Sequence, residues 1–515
     1  MARRSIFNRM KTRNKIKQSQ EQQEEFNTSI TKNLDDNLKS IKKMLGDPTD
    51  LVTRELIIGG IEKRAAIIYI SGITDEDLIN NNILKVIQEN LMQYETGILD
   101  KIHSEVVAVT DTDKSNNLDD VSLAILNGHT AFYLEGYEEV LLMGTTGGES
   151  RSIEEPESET LVRGPRDGFV ESIFTNMALI RRDIRDPNLR FKKHEVGKRS
   201  KQMVVVCYIE GITNPDLVNE INRRLATMDI DFISDSSFIE QWIEDSIYSP
   251  FPQILDTERP DSVSASLIQG KVGIIVDGTP FALIAPMSLS DGLASPEDYT
   301  QRWMSASLLR ILRFLAAFIA VFLPGLYVAF VSFHPGMIPS TLAYSIAASR
   351  EGVPFPAAVE AILLAITFEI LHEAGVRLPK VIGQTIGIVG GLVIGEAAVS
   401  AGIVSPIMVI VTALTAIAAF SIPTYSMSIA LRTFRFIVII ASGALGLYGL
   451  ILIYIMMNIH IVNLKSIGMP YSIPFGPLFL KDLKDVIIRA PFTKLTRRPK
   501  HLEPVDDVSK DTSIK

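Results

Sequence analysis

In 515 residues the chain has a single cysteine, Cys207. One thiol builds no disulfide framework, and no Cys/His spacing suited to a metal ion is present. Its setting, "MVVVCYI", is apolar, so Cys207 is expected to act as a small buried hydrophobe. Two tryptophans and an excess of acids over bases (60 against 51, net charge -9) argue against a nucleic-acid binder, which wants a basic surface with interleaved aromatics. The first residues, "MARRSIFNRMKTRNKIKQSQ", are positive but lack an apolar stretch behind the charge. They do not read as a secretory signal, and the polar part of the chain is expected in the cytosol. Neither "SGIT" nor "EGIT" has the glycine pattern of a nucleotide-binding loop. With no nucleophile–base constellation either, no enzyme and no cofactor is expected.

What is present is divided unevenly. Mean hydropathy is +0.20 although 22% of residues are charged. Charge crowds the chain up to Arg313, whereas residues 314–464 are mostly apolar. The fold class expected is an α/β cytosolic N-terminal domain of two similar subdomains, followed by an α-helical transmembrane domain.

The two subdomains follow from a repeat. "YISGITDEDL" (69–78) and "YIEGITNPDL" (208–217) agree at seven of ten positions. Each reads as a β-branched strand, a glycine turn and a helix start, capped by Thr74 or Asp75 in one copy and by Thr213 or Asn214 in the other. The match continues downstream, from "LNGHTAFYLEG" to "IQGKVGIIVDG". Residues 1–50 are expected to be a basic, then Gln/Glu-rich disordered arm, and 50–150 the first α/β subdomain. Residues 151–199 form a charged hinge segment, 200–295 the second subdomain and 296–313 a linker. In the hinge, Arg163, Arg166, Asp167, Arg181 and Arg182 are candidates for a subunit contact; the competing reading is a hinge laced by its own ion pairs.

Residues 314–464 are expected to supply four to six membrane segments, and 465–515 a charged tail. "FLAAFIAVFLPGLYVAFVSF" (314–333) is long enough to span a bilayer. Glu360, Glu369, His372 and Glu373 interrupt the next segment. Ionisable groups at that depth are costly and usually face a cavity or a partner. Glu360, Glu369, Glu373 and, after it, Glu396 are therefore candidates for an ion path. An interfacial amphipathic helix, or a salt bridge to Arg377, would use the same residues. Gly383, Gly387, Gly391 and Gly395 recur every fourth position, a seam for close helix packing. "RFIVIIASGALGLYGLILIYIMMNIH" reads as one final span. Five spans would leave the tail outside, whereas its lysines and arginines argue for the cytosol; an even count results if 357–373 lies in the interface or "MIPSTLAYSIAAS" enters the membrane.

Long ordered motifs carry a resemblance. "EPESETLVRGPRDGFVESIFTNMALIRRDIRDPNL", "EGVPFP", "FEILHEAGVRLPKVIGQTIGIVGGLVIGEAAVSAGIVSP", "LRTFRF" and "GMPYSIPFGP" together resemble the A subunits of GerA-type spore germinant receptors, over about residues 50 to 480. That resemblance implies a multi-pass protein of the spore inner membrane with its N-terminal domain cytosolic. It implies two partners, a transporter-like B subunit and a lipoprotein C subunit. It also implies homo-oligomerisation into a gated channel that releases monovalent cations to start germination. One residue departs from the pattern: His372 stands where the family usually has Arg before "EAG". The alternatives are a secondary transporter of a small solute, whose usual pointer is repeated broken helices in the membrane part, and a receptor-like paralogue or scaffold that amplifies germination.

Overall fold

The computed structural model describes residues 29–58, 63–90, 99, 111–147, 155–156, 159–377, 395–480 and 482–509. The chain divides into two compact units. One holds residues up to 150 with 177–190, and the other holds 151–176 with 191–515.

The first unit opens with a helix inside the stretch expected to be disordered. In α1 (Leu34–Leu45), Leu34, Leu38, Ile41 and Leu45 fall on one face and are buried. The Asn33 side chain caps its first turn and Gly46, left-handed, ends it. The correction has a physical source. Four apolar residues at helical spacing gain more by burial than their charged neighbours, which remain in water, oppose.

Strands β1 (Leu51–Ile58), β2 (Lys63–Ile70), β3 (Thr112–Ser115), β4 (Thr130–Leu134) and β5 (Val140–Met143) form a sheet in the order β1-β2-β4-β5-β3. Each neighbouring pair is antiparallel. Helix α1 and helix α2 (Leu118–Leu126) share one apolar cluster with the sheet. A second cluster joins Ile79, Ile83 and Ile87 to the sheet residues Ile67, Phe132 and Leu141. Helix α3 (Ile173–Asp183) contributes Ala178 and Arg181 to this unit. The buried Arg181 guanidinium grips the buried Asp50 carboxylate with two hydrogen bonds.

The second unit repeats the plan. Strands β6 (Leu189–Val196), β7 (Gln202–Ile209), β8 (Leu255–Thr257), β9 (Val272–Val276) and β10 (Ala282–Ala285) are ordered β6-β7-β9-β10-β8, the same order strand for strand. Helices α4 (Pro215–Ala226), α5 (Ser236–Ile243) and α6 (Pro260–Gln269) complete this lobe. Strands β2 and β7, which end on the first two residues of the repeated decapeptide, even share one sequence of buried and half-buried positions. The caps are Asp75 and Asn214. Thr74 and Thr213 turn back to the strand ends, bonding the Ile70 carbonyl and the Ile209 N–H. Cys207 lies within β7, fully buried, and burial pushes its thiol up to about 12.

The two copies differ in what covers the turn. In the first, the Ile73 carbonyl accepts from Gly147 N–H at 3.0 Å, just beyond β5. In the second, the chain leaves β10 for the apolar helices. The equivalent Ile212 carbonyl accepts instead from Val505 N–H at 2.9 Å. Arg498 adds a bond to the Ile268 carbonyl at the end of α6, 2.8 Å away. The C-terminal strap thus does for the second lobe what three residues do for the first.

Beyond the lobe come α7 (Trp303–Phe333), α8 (Ser340–Arg350), α9 (Ala357–Arg377), α10 (Pro406–Phe420) and α11 (Tyr425–Asn463). Helices α7 and α11 are long and apolar enough to cross a membrane. At the foot of α7 Arg310 and Arg313 both bind Asp298, at 2.8 and 2.9 Å. The ring of Tyr299 lies beneath Arg310, and its hydroxyl donates to Asp485 at 2.8 Å.

Helix α11 is not the single span expected. Phe434 and His460 would stand ~39 Å apart on a straight helix. Both instead pack on the ring of Phe251, with centroids at 5.2 and 6.0 Å. The chain folds back at Gly446, whose φ of 62° and ψ of -143° are open essentially to glycine alone. An apolar run shows no break in its hydropathy where a glycine reverses it. Both ends of α11 therefore lie beside the second lobe, with Ser426 on Asp256 and His460 on Ser249. Helix α9 runs from Gly443 near the far end to Arg432 near the lobe. Helix α10 runs the same way, from Glu360 to His372.

Two substitutions test these features. A Cβ at position 446 would lie 2.9 Å from Phe333 Cβ. Gly446→Ala should cost at least about 1–3 kcal/mol and lower the melting temperature of the full chain, with exposed Leu445→Ala as control. Equal melting temperatures would exclude the fold-back. Val505→Pro removes the donor to Ile212, worth about 0.5–1.5 kcal/mol. It should speed tryptic cleavage after exposed Arg497, where Val505→Ala leaves the rate unchanged.

Candidate functional site

The four candidate carboxylates occupy three kinds of setting. Glu360 is in the first turn of α9 and is fully buried. It takes an ion pair from Arg350 at 2.8 Å and the Ser405 N–H at 2.9 Å, so it ties α8 and α9 to the start of α10. Glu369 faces α11, where Arg432 and Arg435 bind one carboxylate oxygen each, at 2.7 and 3.2 Å. Arg377 turns back within its own helix to Glu373, 2.7 Å away. Glu373 and Glu396 are exposed. The salt bridge to Arg377 weighed for this segment thus belongs to Glu373, and Glu369 is held by arginines that the spacing within α9 could not reveal.

Of the glycine seam, Gly383, Gly387 and Gly391 lie outside the described residues. Gly395 is described, and a Cβ there would meet Val409 at an ordinary 3.6 Å. The candidate contact residues separate as well. Arg163, Arg166, Asp167 and Arg182 are exposed, while Arg181 is spent on Asp50 inside its unit. Arg166 has Glu155 within 3.9 Å, Arg182 reaches the Gly147 carbonyl at 3.4 Å, and the Arg163 carbonyl accepts from Thr300.

A residue that sequence reasoning passed over, Arg259, clamps the hinge onto the second lobe. Its buried guanidinium donates to the carbonyls of Pro165 (2.7 Å) and Glu159 (3.2 Å). The Glu159 carboxylate accepts from Thr257 Oγ1 at 2.7 Å. Loss of hydration, opposed in part by that bond, pushes Glu159 up to about 7. Nearby Glu240 is pushed up to about 8, first by loss of hydration and then by the charges of Asp256, Glu244 and Asp235. Among the described residues no three His, Cys, Asp or Glu side chains are grouped to hold a metal ion.

These shifts set a pH dependence. Both carboxyls keep their proton to higher pH in the folded state than when unfolded, where about 4.5 is normal. Their contribution to stability is therefore complete below about 4.5 and is lost as pH rises through 7 and 8. Amide-exchange protection of α5 should fall between pH 5 and pH 9. Glu240→Gln should flatten that profile and raise protection at the alkaline end. A wild-type profile that rises with pH would contradict the assignment.

Comparison with known proteins agrees over nearly the whole length. The family described as "Bacillus/Clostridium GerA spore germination protein" matches residues 39–501. Spore germination protein GerLA of Bacillus cereus is 47% identical over 474 residues, covering 92% of this chain and 96% of that one. Spore germination protein B1 of Bacillus subtilis (strain 168) is 41% identical over 93% of this chain and 99% of its own length. Spore germination protein KA of the same strain is 42% identical over 95% and 90%. A crystal structure of the N-terminal domain of the A subunit of the Bacillus megaterium spore germinant receptor GerK3 is 34% identical. It covers 50% of this chain and 96% of that one, with a TM-score of 0.41.

Proposed function

The chain belongs to the Bacillus/Clostridium GerA spore germination protein family, and from that premise we propose that it is the A subunit of a nutrient-germinant receptor that oligomerises into a gated channel for monovalent cations. Its partners are a transporter-like B subunit, a lipoprotein C subunit and further copies of itself. Its site is the spore inner membrane, with the lobes and the tail on the cytosolic face. The observation that carries the membrane part of this reading is the reversal at Gly446, which returns the chain to the lobe side. Helix α7 leaves the lobe, and α9 and α10 both run toward it. The chain ends α9 at the lobe end and is next described at the far one, where Ala398 and Val399 pack with Tyr327 and Val328. These ends call for an even number of crossings, with the tail strapped to the second lobe.

Ion conduction assigns the four carboxylates different parts. Glu360 is a structural ion pair that holds three helices together. Glu396, and Glu373 with only the exposed Arg377 of its own helix as partner, are the acids placed on helix surfaces where they can attract cations. The test is potassium efflux from liposomes holding the full chain, alone and with the B and C subunits plus nutrient. Efflux is expected once the partners and nutrient are present, and it should fall at least several-fold in Glu373→Gln, Glu396→Gln. Absence of efflux under every condition, from protein that has inserted and assembled with its partners, would overturn the channel reading.

A further inference from the structure

The pairing around Glu369 does not balance. Arg432 and Arg435 lie three apart on α11 and are both almost wholly buried, at 7% and 3% exposure. They share one carboxylate, so the cluster carries one uncompensated positive charge. Among the described residues the Nε atoms of both arginines are buried without a hydrogen-bond partner, and so is Nε2 of His372, one turn beyond Glu369. The stretch 378–394, outside the described residues, has no acidic residue to complete the cluster. A buried guanidinium with unfilled donors and excess charge is costly unless an anion joins it.

The surroundings say where the anion comes from. Glu369 is 38% exposed, so the cluster reaches the outside at its carboxylate, with the two guanidiniums just beneath it. The surface beside it is apolar: Ile366, Ile370, Ile417, Phe420 and Ile429 are all exposed. Such a surface faces lipid. The cluster is also shallow. Arg432 stands about 10 Å along α11 from Tyr425, and Ser426 already bonds Asp256 of the second lobe. That is the depth of phospholipid headgroups, where basic pockets between helices hold anionic lipids.

We propose that Arg432 and Arg435, oriented by Glu369, form a binding site for the phosphate of an anionic phospholipid on the lobe side of the helical bundle. The phosphodiester is singly charged and neutralises the cluster. Its two unesterified oxygens accept from the guanidinium N–H groups that Glu369 leaves unfilled. The site is independent of conduction, so its test reads binding and not ion flux.

The experiment is thermal unfolding of the full chain in an uncharged detergent, with titrated phosphatidylglycerol, phosphatidylcholine or inorganic phosphate. Phosphatidylglycerol should protect saturably, with phosphatidylcholine much weaker. Its apparent affinity should drop roughly fivefold in Arg432→Gln and again in Arg435→Gln. Glu369→Gln removes the competing acid and should tighten binding, roughly fivefold, an outcome that a merely weakened fold does not produce. Equal phosphatidylglycerol affinity in all four proteins, or weaker binding in Glu369→Gln, overturns the site. Protection by inorganic phosphate at the same affinity overturns the lipid as its source. An oligomer that dissociates in Arg432→Gln with phosphatidylglycerol affinity intact overturns it in favour of a subunit contact.

Discussion

One fully buried carboxylate, Asp298, is what the helical half of this molecule stands on. Two arginines, Arg310 and Arg313, enter the first turns of α7 on one face and meet it there. Unpaired, either would oppose the passage of the helix into apolar surroundings. Paired, they fix its rotation and its depth together. The neighbour of Asp298 extends the grip: the ring of Tyr299 lies against both Arg310 and Arg489, and its hydroxyl reaches Asp485. Linker, first long helix and returning tail are thereby joined at one point, and the orientation of every later helix refers back to it.

The duplicated lobes show how one plan is adapted to two sites in a chain. Strand order and the position of turn and cap are the same in both. Their covers differ because the chain just beyond β5 bonds back to the turn through Gly147, whereas beyond β10 it takes the route toward α7. The first lobe completes itself locally. The second shares its apolar packing with Ile467 and its turn with Val505, so it forms one folding unit with the helices and the tail.

Much of this was legible in the sequence. Matching decapeptides announced matching lobes, and the Asp75 and Asn214 caps were among the residues named for those turns. The family was legible from its long ordered motifs. What escaped has a common cause: the decisive partner lay far along the chain. Glu369 finds its arginines some sixty residues on, and Ile212 finds Val505 nearly three hundred residues on. The fold-back at Gly446 escaped for a different reason, since "GALGLYG" breaks a helix without interrupting hydrophobicity. Helix α1 escaped because lysines and aspartates hid four well-spaced apolar residues.

The strap has a consequence for how the protein is made. The Ile212 carbonyl emerges from the ribosome early, but the residue that caps it, Val505, is added about 220 residues after the last strand of its sheet. At ordinary elongation rates that interval is roughly 10–45 s. During it every apolar helix is made while the second lobe waits with an open turn. Completion of this lobe therefore waits on synthesis through Val505. A chain cut short before that residue leaves the Ile212 carbonyl uncapped, an unfinished mark that proteases and chaperones can read.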